Sequence, residues 1–271
     1  MLNLALPFLF YPGLALAIVL ALLFGWLLEG RAELGWARRA AWASPDGLLS
    51  QASILLAAAA LALLPWPMHP SAGWPLIGDL VAQWVALESA FLLPLLPGLL
   101  APSPLGERAA YREAQISVAG RCVFWLALGV ALWIGADWTV RALPGRALLA
   151  LAGLLALPAA IGVGPFGAER GLNAAGAEEG LDEATAALVR FARTLRGAVL
   201  LAMLIFVSLP VDLIQPWIAL LLSAGLFVLI ALLLNRLAGL LPRLTLPAAL
   251  RWCWWRALPL GLVGLVYLLL V

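Results

Sequence analysis

Lysine is missing from this sequence, and charge of either sign is scarce. All 16 basic residues are arginine, and charged residues make up only 11% of the 271. A soluble domain is about one quarter charged and about half apolar, whereas 65% of this chain is hydrophobic. The composition therefore excludes a soluble globular protein and a disordered chain. The net charge of +2 is too small to indicate a nucleic-acid partner.

Metal-binding side chains are equally rare. His69 is the only histidine, and Cys122 and Cys253 are the only cysteines. Metal sites and iron–sulfur clusters need several such ligands, so we predict that this chain binds no metal and no redox cofactor of its own. No Ser/His/Asp or Cys/His set and no phosphate-binding glycine loop is present, so we predict no catalytic residue. His69 lies in a proline-rich loop and is expected to be solvated.

What the chain does contain is long hydrophobic runs. Eight of them have the length needed to cross about 30 Å of hydrocarbon. They are continuous, unlike the alternating segments of a membrane barrel, so helices are expected. The sequence predicts an all-α polytopic membrane protein, organised as one membrane domain over residues 1–271. The predicted spans are residues 2–28, 48–65, 77–100, 116–138, 147–164, 195–214, 217–241 and 250–271.

Arginine placement predicts the orientation of these spans. Arginines concentrate in the loops after spans one, three and five, which we place at residues 29–47, 101–115 and 165–194. Positively charged loops stay in the cytoplasm, so both termini are expected outside. The predicted location is the inner (plasma) membrane of the cell, as a multi-pass protein surrounded by lipid.

Two charged residues inside the predicted spans are candidates for function. Glu88 lies deep in span three, and Arg121 lies about one turn into span four. Glu88 is either part of a proton relay or ion pair, or a structural carboxyl, and Arg121 either pairs with an acid or extends to the interface. Asp79, at the start of span three, is expected to cap its helix.

The fifth loop combines acids with an amphipathic stretch. Its acids are Glu178, Glu179, Asp182 and Glu183. Residues 182–195 have helical character, and a helix at the cytoplasmic face binds either lipid or a peripheral partner. The acids disfavour a lipid-only role, because lipids of the inner leaflet repel carboxylates. A protein partner is therefore the favoured interpretation, and a solvated loop is the alternative.

Three stretches in this order resemble one family. The first runs from residues 77–80 through 103–104 to the segment 112–117. The second is Pro165-Phe166 followed by the acids of loop five, and the third joins residues 235–238 to 242–244. Together with eight spans and long odd-numbered loops, they resemble the H-type membrane subunit of respiratory complex I (NADH:quinone oxidoreductase). The resemblance is closer to its counterpart in formate hydrogenlyase and other energy-converting NiFe hydrogenases.

The resemblance implies a membrane protein that meets a peripheral redox arm. It implies peripheral iron–sulfur and NiFe-type or complex-I-like subunits as partners, together with antiporter-like membrane subunits. It also implies a quinone chamber, or its vestige, at the interface with that arm. The proton- or ion-path candidates are Glu88, Glu113, Arg121, Glu179 and Glu183. The partner- or quinone-loop candidates are Arg31, Arg38, Arg39, Arg112, Glu178 and Asp182.

The sequence also departs from the family pattern. Gly167 stands where the family has the Asp of Pro-Phe-Asp, and Arg121 lies in the region where the family places a Glu. A fixed positive charge repels a passing proton. The predicted function is a membrane subunit that couples electron transfer to ion translocation. Its rivals are a self-sufficient secondary transporter and a scaffold subunit that has lost coupling.

Overall fold

The computed structural model describes residues 7–29, 44–70, 77–100, 104–133, 138–167, 181–210 and 213–271. Within these ranges every regular element is helical and no strand occurs. Eight helices are long and apolar enough to cross a membrane, as the hydrophobic runs predict. The chain therefore has the all-α fold of a multi-pass membrane protein.

Ten α-helices form most of the eight spans of the described chain. Proline accounts for the break in the third span, because Pro94 and Pro97 lack the amide hydrogen that a regular helix needs. A 3₁₀ turn, Leu93–Leu95, follows there. The segments are α1 (Leu14–Glu29), α2 (Pro45–Ala62), α3 (Leu80–Leu92), α4 (Leu96–Leu99), α5 (Pro104–Trp133), α6 (Leu143–Ile161), α7 (Glu183–Ser208), α8 (Pro216–Leu240), α9 (Leu246–Trp252) and α10 (Leu258–Leu270).

Two predicted spans begin later than the helices that form them. Residues 104–115, assigned to loop three, are helical and belong to α5. Likewise, residues 183–194, assigned to loop five, are continuous with the sixth span in α7, which ends at Ser208. Hydrophobic length reports the part of a helix that lipid can surround, and polar residues extend a helix beyond it without interrupting its hydrogen bonds.

Polar side chains fix the beginnings of α2 and α3. The Ser44 hydroxyl accepts a hydrogen bond from the Gly47 amide at 3.0 Å. The Asp79 carboxylate accepts from the amides of Val81 and Ala82 at 2.9 and 3.3 Å. These bonds satisfy amides that have no partner within the first turn of a helix. The capping role predicted for Asp79 is confirmed.

The described residues group into two compact units. Unit 1 comprises Met1–Pro65, His69–Ala114 and Ala168–Val199, and unit 2 comprises Trp66–Met68, Gln115–Gly167 and Leu200–Val271. In unit 1, α2 packs against α1 and α3. In unit 2, α6 packs against α10 and the π-helical turn before it.

Glycines bring helix backbones into direct contact in unit 2. A Cβ atom on Gly120 of α5 would collide with the backbone of Ala159 and Ala160 in α6. A Cβ atom on Gly264 of α10 would lie 2.9 Å from the carbonyl oxygen of Gly145 in α6. Small residues permit this close approach, which is the usual way that helices associate in a membrane.

Candidate functional site

The interior of unit 1 contains a buried arginine that bridges three helices. Arg196 of α7 is only 4% exposed. Its Nη1 donates a hydrogen bond to the Ser53 hydroxyl of α2 at 2.7 Å. Ser53 in turn donates to the Ala90 carbonyl of α3 at 2.7 Å. All three residues are buried in the protein, where an unsatisfied polar group is costly.

Glu88 lies on the same face of α3 as Phe91, the ring that Arg196 contacts. The Arg196 guanidinium lies over the Phe91 ring, 5.2 Å from its centroid. Glu88 precedes Phe91 by three residues in α3 and therefore lies on the same helix face. Its side chain is partly buried and has interaction partners in the structure. The mid-span carboxyl singled out from the sequence thus shares a helix face with the ring that Arg196 covers.

An ion pair connects α5 to α7 within unit 1. Arg193 Nη2 lies 3.4 Å from Glu113 Oε2, and both side chains are largely buried, at 24% and 17% exposure. Glu113 is a candidate from the third-loop pattern, and the structure pairs it with an arginine one turn before Arg196. Arg112, its neighbour in sequence, is partly buried in α5.

The capped beginnings of α2 and α7 meet in unit 1. Asp182 accepts a hydrogen bond from the Thr185 amide at 3.2 Å. The Thr185 hydroxyl lies 3.3 Å from the Ser44 hydroxyl, which caps α2. Hydrogen bonds from the Thr185 side chain and amide lower the pKa of the Asp182 carboxyl. Asp182 and Glu183, both exposed, are therefore positioned at the first turn of α7.

His69, near the end of α2, is buried, so the prediction of a solvated side chain was wrong. The side chain is 8% exposed rather than solvated. Its Nε2 lies 2.9 Å from the Ala62 carbonyl oxygen, and Gln83 Nε2 donates to the Leu63 carbonyl at 3.0 Å. The last carbonyls of a helix lack partners in the helix, and these two side chains supply donors for them. The loop folds back to meet this need, which buries His69.

Arg121 lies in unit 2 and is 1% exposed, among the largest fully buried side chains. It has interaction partners within the protein. Arg121 follows Gly120, the residue that brings α5 onto α6. The protein therefore encloses the whole Arg121 side chain.

A turn at Gly164–Phe166 gathers two of the stretches that resemble the family. The Leu244 amide donates to the Pro165 carbonyl at 2.9 Å, and Arg243 Nη2 donates to the Gly167 carbonyl at 3.1 Å. A Cβ atom on Gly164 would lie 3.0 Å from the Cα of Ala238, so the end of α8 touches the turn. The Pro165-Phe166 stretch, which lacks the Asp of the family pattern, and the segment between the last two spans therefore form one local structure.

Five predicted site residues lie outside the described residues. They are Arg31, Arg38, Arg39, Glu178 and Glu179. Among the residues that the structure does describe, no group of three His, Cys, Asp or Glu side chains is arranged to hold a metal ion.

Comparison of the sequence with protein-family models and with characterised proteins finds no match. The fold has a solved counterpart. It is a chain from the structure of the membrane-bound sulfane sulfur reductase (MBS), an archaeal respiratory membrane complex. The two chains superpose with a TM-score of 0.69, and the match covers 98% of each at 16% sequence identity. At this identity the likeness establishes a shared fold over the full length of both chains.

The network around Arg196 is the part of the site that the sequence did not reveal. In the sequence, Arg196 lies at the junction of loop five with span six, and Ser53 is one small residue within a hydrophobic run. A signal was nevertheless present, since Arg190, Arg193 and Arg196 recur every three residues toward a span that continues as a helix. That spacing puts arginines on one side of α7, and the third of them reaches the middle of the helix.

Proposed function

We propose that this chain is a membrane subunit of a respiratory complex, in which it docks a peripheral redox arm and couples electron transfer to ion translocation. The observation that carries the proposal is the structural match over 98% of both chains to a chain of an archaeal respiratory membrane complex. The resemblance of three sequence stretches to the H-type membrane subunit of complex I and its hydrogenase counterparts supports it independently. The complex resides in the inner (plasma) membrane of the cell.

The docking role belongs to the predicted cytoplasmic loops. Asp182 and Glu183 at the start of α7 are exposed, and carboxylates there pair with basic groups of a peripheral iron–sulfur or NiFe-type subunit. Arg31, Arg38, Arg39, Glu178 and Glu179 extend this surface in sequence. A quinone at the interface with the arm would meet the same loops.

The coupling role belongs to Glu88 and the charges near it. A charged side chain in the middle of a span is costly and is for that reason a candidate for an ion or proton path. Arg196 lies over Phe91, on the face of α3 that carries Glu88. A small movement of α7 against α3 therefore changes the electrostatic potential at the Glu88 carboxyl group. Such a change lets the carboxyl take up and release a proton or bind a cation.

Purification in a mild detergent from the native membrane tests the docking role. We expect the chain to migrate in a complex with peripheral iron–sulfur and NiFe-type or complex-I-like subunits and with antiporter-like membrane subunits. Mass spectrometry of the purified band identifies them. Migration of the chain as a lone monomer under conditions that preserve other membrane complexes would overturn the proposal.

Replacement of Glu88 by Gln tests the coupling role. The substitution keeps shape and hydrogen bonding but removes the titratable carboxyl. We expect at least a tenfold loss of ion translocation in vesicles with the complex still assembled, because the mid-span proton or cation site is gone. Glu107→Gln is the matched control, since Glu107 is an exposed acid in the first turn of α5. Equal translocation by the two variants would reject coupling through Glu88.

A specific observation also favours a second candidate, a scaffold subunit that has lost coupling. Arg121 is a buried cation in the region where the resemblance places an acid. A permanent charge there raises the barrier to a proton on the usual route. In a scaffold, Glu88→Gln leaves both turnover and translocation unchanged while Arg121→Met weakens the fold. In a coupling subunit, Glu88→Gln lowers translocation at least tenfold.

A further inference from the structure

The last connection between spans and the helices on either side of it carry arginines and no acidic residue. No acidic residue follows Asp212, so residues 213–271 contain four arginines and no carboxylate side chain. These arginines are Arg236, Arg243, Arg251 and Arg256, and all four are exposed. Every one of them lies at the end of α8, in the segment 241–245, or in the first half of the eighth span.

Packing in unit 2 brings these arginines around the Gly164–Phe166 turn. Arg243 donates to the Gly167 carbonyl at 3.1 Å, and the end of α8, close to Arg236, touches Gly164. On the other side, the Phe166 ring packs edge-on against Trp252, with centroids 6.2 Å apart. Arg243, Ala238 and Trp252 thus connect the arginine-bearing end of α8, the segment 241–245 and the start of the eighth span to one short turn.

Trp252 fixes one of these arginines in place. Its indole nitrogen donates to the Leu155 carbonyl at 2.9 Å, which anchors the ring on α6. The Arg256 guanidinium lies over that ring, 4.8 Å from its centroid. A guanidinium that lies over an aromatic face keeps N–H groups available at its edge, and these can donate to an anion.

Exposed tryptophans locate this surface at the membrane boundary. Trp254 and Trp255 are 42% and 78% exposed, beside Arg251 and Arg256. Tryptophan prefers the headgroup region, where its ring meets hydrocarbon and its N–H meets polar groups. The hydrophobic run predicted for this span begins at residue 250, so Arg251 lies in its first turn. Arg256 lies about 7.5 Å further in, and an arginine side chain is long enough to extend from there back to the headgroups.

We propose that Arg236, Arg243, Arg251 and Arg256, with Trp254 and Trp255, bind the phosphate headgroup of an anionic phospholipid. The arginine asymmetry predicts this connection on the cytoplasmic side, where anionic lipids are found. The site supplies guanidinium donors for the phosphate and indole rings for the glycerol and upper acyl chains. It does not depend on the function proposed above, because the surface belongs to this chain alone.

The surface is proposed for lipid rather than for a peripheral protein. Arg251 and Arg256 are interleaved with exposed indoles and lie in the first half of a hydrophobic span. A peripheral protein reaches the aqueous loops, whereas a phospholipid presents its phosphate at the depth of these side chains. Charge complementarity and depth both favour the lipid.

Lipid titration of the purified full-length chain in mild detergent tests the site. The probes are dioleoyl phosphatidylglycerol, dioleoyl phosphatidylcholine and inorganic phosphate. We expect phosphatidylglycerol to bind more tightly than phosphatidylcholine, with inorganic phosphate failing to displace it at equal concentration. In Arg251→Gln/Arg256→Gln the affinity for phosphatidylglycerol falls about 25-fold, or about fivefold for each arginine, whereas the affinity for phosphatidylcholine is unchanged.

The matched control is Arg108→Gln/Arg141→Gln, which removes the same charge from two exposed arginines elsewhere. We expect its affinity for phosphatidylglycerol to stay within twofold of wild type, as it also does in Arg251→Lys/Arg256→Lys. If the glutamine variant does not fold, the affinity of the wild-type chain for phosphatidylglycerol is measured at increasing salt concentration. The proposal requires that this affinity falls steeply as salt is raised.

Three results would overturn the proposal. The first is an equal loss in the two glutamine variants, and the second is salt-independent or headgroup-independent binding. The third is unchanged lipid affinity in Arg251→Gln/Arg256→Gln combined with loss of co-purifying subunits, which would assign the surface to a protein partner. Loss of subunits alone, with the lipid results as expected, concerns the proposed function and leaves the lipid site intact.

Discussion

Arg196 donates a hydrogen bond to the Ser53 hydroxyl in the middle of two spanning helices, at 2.7 Å. The Ser53 hydroxyl in turn donates a hydrogen bond to the Ala90 carbonyl of a third helix. The arginine thereby obtains an acceptor although it is buried, and α2, α3 and α7 are connected through one hydroxyl. The stability of unit 1 should depend on that oxygen.

Ser53→Ala removes an acceptor from a buried cation. We expect the free energy of unfolding to fall by about 1–2 kcal/mol. Tryptophan fluorescence during thermal unfolding in detergent measures the change. Ser223→Ala is the control, because Ser223 is also buried but bonds to Ala219 within its own helix. Equal effects of the two substitutions would show that the bond between helices adds nothing.

The pair of Glu113 and Arg193 should contribute a measurable coupling energy. Glu113→Gln, Arg193→Gln and the double variant form a double-mutant cycle on thermal stability. Because both side chains keep some solvent contact, we expect a coupling of about 0.5–1 kcal/mol at low salt that declines as salt is added. A coupling that is zero at low salt would mean that the pair is not maintained in the membrane protein.

Gly120→Ala should destabilise unit 2. The added methyl group meets the backbone of Ala159 and Ala160, which cannot move aside as a flexible side chain does. We expect a loss of about 1–3 kcal/mol in the free energy of unfolding. At the exposed helical position Gly225 nothing lies within 4 Å of an added Cβ. Gly225→Ala should therefore leave stability unchanged or raise it by up to about 1 kcal/mol.

Hydrophobic length and helix-capping chemistry are local properties, and they predicted this fold well, whereas the orientation drawn from arginine placement stays a prediction. Eight spans and the cap at Asp79 followed from them. The contacts between Arg196, Ser53 and Ala90 depend on which helix faces meet, and one sequence does not specify those faces. His69 is different, because the carbonyls at the end of α2 needed donors and that need was visible in the sequence. The proline-rich loop instead favoured an exposed interpretation.

Asp182 should make stability depend on pH in the acid range. Hydrogen bonds from Thr185 lower the pKa of its carboxyl in the folded protein. The carboxylate therefore adds stability above the ordinary aspartate pKa of about 3.9, and this contribution is lost as pH falls through the lowered value. Asp182→Asn retains a capping side chain without the charge.

Unfolding temperatures measured between neutral pH and the lowest pH at which the protein stays soluble test this expectation. The wild-type curve should fall more steeply than that of Asp182→Asn below about pH 4. Thr185→Ser, which keeps the hydroxyl donor, should follow wild type. Parallel curves for wild type and Asp182→Asn would mean that the carboxylate has no preference for the folded chain.

The π-helical turn Cys253–Ala257 constrains how the chain length can evolve at this point. Such a turn holds one residue more than an α-helical turn. Ala249, before the turn, and Cys253, its first residue, pack in one cluster with Phe166, and after the turn Gly264 meets α6. Deleting one residue here would leave an ordinary α-helical turn and keep both contacts, whereas inserting a further residue would rotate everything downstream by about 100° and break one of them. Relatives of this chain should therefore tolerate the loss of one residue in this segment better than the gain of one.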